Sequence, residues 1–116
     1  MIQHLIQEID EGISGLFGAM DRARAEGPAA GLIVRSKADG VEHLKAVILR
    51  HRDQLASLIE EENFLSAAFT AADLLPSALD LDQMGIEFRN NEKISSLYEF
   101  VLDRSVVLAE ELESRL

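Results

Sequence analysis

Apolar residues recur from Ile2 to about Glu26 in two interleaved series, each repeating every seven residues. Ile2, Ile9, Leu16 and Ala23 make the first series, and Ile6, Ile13 and Met20 the second. Together they give alternating spacings of four and three, the seam of a packed helix. Leu5 and Phe17 widen the seam, while Gln3, Gln7, Asp10 and Arg24 lie off it. Gly12, Gly15 and Gly18 weaken such a helix by up to about 1 kcal/mol each relative to alanine, unless they serve a close approach between helices. Gly27-Pro28 then stops it.

A second helical pattern starts near Asp39 and runs to Leu74 or Leu75, which would make a rod roughly 50 Å long. Its seam uses Val41, Leu44, Ile48, Leu55, Leu58, Leu65, Phe69 and Ala72, with His51 and Glu62 as polar seam positions. A polar residue there can set helix register or oligomeric state. Glu60-Glu61-Glu62-Asn63 interrupts the pattern and leaves room for a kink or break near Asn63. Beyond it, residues 64–72 are apolar on nearly every side, which suits a bundle centre or a subunit interface. Pro76 ends this region. The third helix is expected from about Glu92 to Glu113 or beyond, on a stripe of Ile94, Leu97, Val101, Leu108 and Leu112 broadened by Tyr98, Leu102, Val106 and Val107.

Two connectors join these helices. Residues 27–38 hold the apolar, partly β-branched core Leu32-Ile33-Val34, and Ser36 with Asp39 resembles a capping box. In residues 76–91, Met84, Ile86 and Phe88 alternate with Gly85 and Glu87, a period that suits an extended segment. Asn90 or Asn91 can cap the helix that follows. Gly31-Leu32-Ile33-Val34-Arg35-Ser36 and Gly85-Ile86-Glu87-Phe88-Arg89-Asn90 share a pattern that would let the connectors pair as a short ribbon. The fold expected is therefore all-α: one domain over residues 1–116, a three-helix, mostly antiparallel bundle with a long central helix and at most a minor two-stranded element. The seam on the first helix and the apolar stretch at 64–72 favour a homodimer.

Charge narrows the classes of partner. The net charge is −10, and it is lopsided: residues 1–58 carry 8 acids against 7 lysines and arginines, residues 59–116 carry 13 against 4. Nucleic-acid affinity comes mainly from basic residues neutralising phosphates, so neither nucleic acid nor an anionic membrane surface is an expected partner. A basic protein surface suits the acidic half. Met1 to Asp10 lack the basic start and unbroken apolar run of a secretory leader, and no apolar stretch approaches the roughly 18 residues of a membrane span. The expectation is a cytoplasmic protein. No cysteine is present, which removes disulfides and thiolate chemistry.

Candidate chemistry is thin. His4, His43 and His51 show neither zinc spacing nor the Glu-x-x-His of di-iron bundles. Asp80-x-Asp82-x-x-Gly85 begins like a calcium loop, but Met84, Glu87 and Asn91 break the pattern where ligands or a core residue should stand. His51-Arg52-Asp53 sits inside a helix with no phosphate-binding loop anywhere, and Tyr98 reads as a core position. No catalytic residue, cofactor or metal is expected.

The function expected is a non-enzymatic interaction module, an adaptor, chaperone or inhibitor. Its partner would be met by Leu79, Leu81, Met84, Ile86 and Phe88 with the neighbouring Asp80 and Asp82. The alternatives are a helical regulator holding a small molecule or metal near His51, Glu62 and Tyr98, and a structural component of a larger assembly.

Overall fold

A computed structural model of the chain describes residues 1–26, 38–76 and 92–116. Every regular element among them is a helix: α1 (Ile2–Glu26), α2 (Ala38–Glu60), α3 (Phe64–Ala72) and α4 (Glu92–Glu113). Residues 27–37 and 77–91 of the connectors, and with them the expected ribbon, lie outside the described residues, as do the seam side chains of Ala23 and Val41.

The four helices alternate in direction. Glu8 of α1 lies 4.0 Å from Arg104 of α4, and Gly12 faces Val101 and Phe100 while Gly15 faces Leu97. Numbers rise on one helix as they fall on the other, so α1 and α4 are antiparallel. The ion pairs Asp10–Arg52 and Asp21–Lys45 give the same sense for α1 against α2. A tight turn then folds α3 back along α2. Backbones approach closely along α1–α4, α3–α4 and α2–α3. The α1–α2 side is not among these close approaches, and long side chains span it.

The seams expected for α1 and α4 do form the core. Ile2, Leu5, Ile9, Ile13, Leu16 and Met20 are buried from α1, and Ile94, Val101, Leu108 and Leu112 from α4. From α2 come Leu44, Ile48 and Leu55, and from α3 the small residues Ala67, Ala68 and Ala71. One buried polar residue is present among the described residues, Ser105, whose hydroxyl donates to the Val101 carbonyl at 2.7 Å. That bond to the preceding turn satisfies the hydroxyl without a second helix.

The long central helix is corrected to two helices. At the end of α2, the Asn63 amide donates to the Leu58 carbonyl at 2.9 Å and the Glu62 amide donates to the Ile59 carbonyl at 3.0 Å. This nested pair terminates a helix through one residue in the left-handed region. That residue is Glu62, with φ of 60°. Asn63 then accepts from the Ser66 amide and caps α3. Glu62 is thus an exposed turn residue and not a seam position that sets register.

The turn has a thermodynamic signature. A side chain held at positive φ costs roughly 1–2 kcal/mol, which glycine avoids. Glu62→Gly is expected to raise stability by about 0.5–1 kcal/mol in urea unfolding, after the extra freedom glycine gives the unfolded chain. Glu62→Ala keeps the strain, and the acid it removes stands between the negative end of α2 and the positive end of α3, whose effects oppose. It should change stability by no more than a few tenths of a kcal/mol. A loss on Glu62→Gly would mean that the turn is not built in this way.

Candidate functional site

The turn at Glu61–Asn63 decides which apolar residues reach the surface. Had the helix continued, Leu65, Phe69 and Ala72 would have stayed in phase with Leu55 and Leu58 and faced the core. Reversal of the chain turns α3 so that its alanines pack inward. Leu65 is 53% exposed and Phe69 66%, with Ala72 exposed beside them. At spacings of four and three, the three side chains form one stripe along α3.

A second exposed pair extends this stripe. On α4, Leu97, Phe100 and Arg104 mark the flank towards α1. The opposite flank carries Tyr98, whose hydroxyl donates to the carbonyl of Pro76 just beyond α3. Helical spacing puts Leu102 and Val106 on that same flank, and they are 39% and 43% exposed. On α3, Phe69, Thr70 and Asp73 border a pocket shared with His51 and Gln54 of α2. Leu65 and Ala72 therefore lie on the flank of α3 turned to α4. The outer seam between α3 and α4 is lined by large apolar groups where a water-facing pair would carry polar ones.

The margins of this seam carry one sign of charge. Glu61 and Glu62 stand at the start of α3 and Asp73 at its end, all exposed. Glu99, Asp103, Glu110 and Glu113 occupy the outer face of α4, also exposed. The nearest guanidinium, that of Arg104, lies on the α1 flank and binds Asp103, with Glu8 beyond. The described residues place no lysine or arginine on the outer face of the α3–α4 pair.

A different surface lies across the bundle. The wider α1–α2 side opens into a groove of about 830 Å³, with Ile6, Ala56 and Ile59 among its lining and Gln3, Glu11 and Glu60 around it. Arg52 and Asp10 cross it with two parallel bonds of 2.7 Å, Nε to Oδ1 and Nη2 to Oδ2. Hydrogen bonding to Asp10 raises the Arg52 pKa further above the usual arginine range, against the opposing effect of burial, so the guanidinium stays charged. Lys45 makes the second crossing, on Asp21 and 5.6 Å from the centre of the Phe17 ring. Because Arg52 and Asp10 are both about one-third exposed, a double-mutant cycle of Asp10→Ala and Arg52→Ala is expected to give a coupling of about 1 kcal/mol or less. It should shrink as salt is raised. A coupling of zero at low salt would mean that the forked bond is not formed in solution.

The residues singled out from the sequence fare differently. Leu79, Asp80, Leu81, Asp82, Met84, Ile86 and Phe88 lie outside the described residues. His43 is exposed, and His51 is half-buried with Nδ1 3.3 Å from the Leu74 carbonyl. His51 and Tyr98 thus both touch the segment that follows α3, whereas Glu62 stands before it. The nine residues of α3 separate them by roughly 14 Å. No group of three or more His, Asp or Glu among the described residues is placed to hold a metal. No described helix is long and apolar enough to cross a membrane. Sequence reasoning puts Leu65 and Phe69 on a seam as well as in a run suited to a bundle centre or subunit interface, and Leu102 and Val106 on the stripe of the last helix; all four are exposed instead of buried in the core. The signal that could have found Leu65 and Phe69 is Asn63, a helix cap directly ahead of the apolar run.

Comparison with protein-family models, with curated proteins and with solved structures finds no match to this chain.

Proposed function

We propose that the protein is a non-enzymatic interaction module, an adaptor, chaperone or inhibitor, that works by presenting an apolar helical surface to another protein. The observation that carries this reading is the outward stripe of Leu65 and Phe69. Isolated apolar side chains on a surface are ordinary, but a contiguous row on adjacent helices is a mark of association. The acidic character of the chain supports a protein partner over nucleic acid. A homodimer remains within the proposal, though the α1 seam that favoured it is used inside a single chain, and its support now comes from the α3 stripe alone.

Native mass spectrometry of the freshly purified protein tests the reading. The expected result is a chain without added small mass that carries a co-purified protein partner, which the double variant Leu65→Ser/Phe69→Ser loses while it melts at an unchanged temperature. A reproducible small added mass that disappears in His51→Ala would overturn the reading in favour of a ligand-binding regulator.

A further inference from the structure

We infer that the outer α3–α4 seam is the docking site for a basic amphipathic helix of a partner protein. The inference rests on the interaction-module reading and goes on to specify both the surface and the chemistry of what it receives. Two antiparallel helices side by side leave a shallow groove between them, and a third helix fills such a groove with one apolar face. Leu65, Leu102 and Val106 supply the apolar floor, with Phe69 at its α2 edge. The partner would set its own apolar side chains there at spacings of three and four, over the two to three turns that α3 spans.

Charge selects the occupant. The margins hold Glu61, Glu62 and Asp73 on one side and Glu99, Asp103, Glu110 and Glu113 on the other, all exposed. Lysines and arginines flanking an apolar stripe would meet these acids on both sides. Complementary potentials of this kind speed encounter and exclude wrong partners. A second copy of the chain fits poorly: a two-fold axis lays the same surface against itself, which would press acidic margin on acidic margin. An anionic membrane is repelled for the same reason.

The test uses the intact chain and three synthetic fourteen-residue peptides, read by fluorescence anisotropy at low and high salt. One carries leucines at helical spacing with lysines elsewhere. The second replaces every lysine by glutamate, and the third scrambles the first at constant composition. The expected result is binding of the first peptide only, weakened at least about tenfold by Leu65→Ser/Phe69→Ser and by added salt. Leu49→Ser, on α2, should leave it unchanged. Equal binding of the scrambled peptide, or full binding by the double variant, would overturn the inference. Preference for the acidic helix on the same residues would overturn the basic occupant while leaving the interaction module standing. A concentration-dependent dimer in sedimentation that the double variant abolishes would make the occupant a second copy. Failure of all three peptides, with no self-association, would overturn the basic-helix site, while the module reading would be decided separately by the native mass spectrometry.

Discussion

Leu16→Ala is expected to lower the free energy of unfolding by about 2–5 kcal/mol, while Leu65→Ala changes it by under about 0.5 kcal/mol. Both leucines occupy apolar seam positions in the sequence. Leu16 is fully buried, whereas Leu65 is 53% exposed. Removing the Leu16 side chain forfeits its transfer energy and leaves a cavity that rigid helices close only in part. Domains of this size are held by roughly 5–15 kcal/mol, so the Leu16 variant is expected to populate unfolded chain at modest urea. Urea unfolding followed by far-ultraviolet circular dichroism measures both. Similar losses for the two variants would mean that α3 does not turn its leucine outward, and the proposed surface would go with it.

Gly12→Ala and Gly18→Ala should move stability in opposite directions. Either change favours helix by up to about 1 kcal/mol. At Gly12, the added carbon would stand 2.7 Å from Val101 Cγ2 and 3.1 Å from Phe100 Cδ2. Val101 is fully buried and β-branched, so its side chain has one comfortable setting in a helix and nowhere to go. Phe100 is 40% exposed and can swing away. The helices must part or strain, and overpacking of this kind costs about 1–3 kcal/mol. A net loss of about 1 kcal/mol or more is expected for Gly12→Ala. At Gly18 the nearest atom is the mobile Arg22 Nη1 at 3.6 Å, so the helix gain should survive. Val101→Ala makes room for the new methyl, so the double variant Gly12→Ala/Val101→Ala should lose less than the two single losses together. Additive losses would mean that the α1–α4 contact is looser than described.

The same residues show why part of the fold could be read from sequence and part could not. α1 and the main stripe of α4 follow their apolar periodicity, because each is a single helix with one buried stripe, whereas Leu102 and Val106, expected to broaden the α4 stripe, are exposed. The glycines of α1 left two readings open, and Gly12 and Gly15 take the close-approach one against Val101 and Leu97. The sequence allows a kink or break near Asn63 but does not show a full chain reversal there, for two reasons. Its helix-ending position holds Glu62 where glycine usually stands, so the strongest stop signal is missing. The apolar spacing also runs on in phase from Leu55 and Leu58 to Leu65, Phe69 and Ala72, although the chain reverses between them. Periodicity reports which residues share a helical face; it carries no sign for whether that face looks inward. The acidic triplet before Asn63 interrupts the pattern in either case, and in the structure it marks the end of one helix and the approach to another.

The pairing of α1 with α4 carries a cost in time. Gly12 and Val101 come from the first and the last of the four helices, so their contact closes most of the chain into a loop. Closing a long loop loses entropy before any packing rewards it, and folding slows as contacts become less local. α2 and α3 can find one another early, through a turn of three residues, but Ile94, Val101 and Leu108 have no apolar cover on one side until α1 arrives. Nascent chains would therefore hold an unpartnered apolar helix for as long as that search lasts, a vulnerability that an up-and-down bundle with only neighbouring contacts would escape.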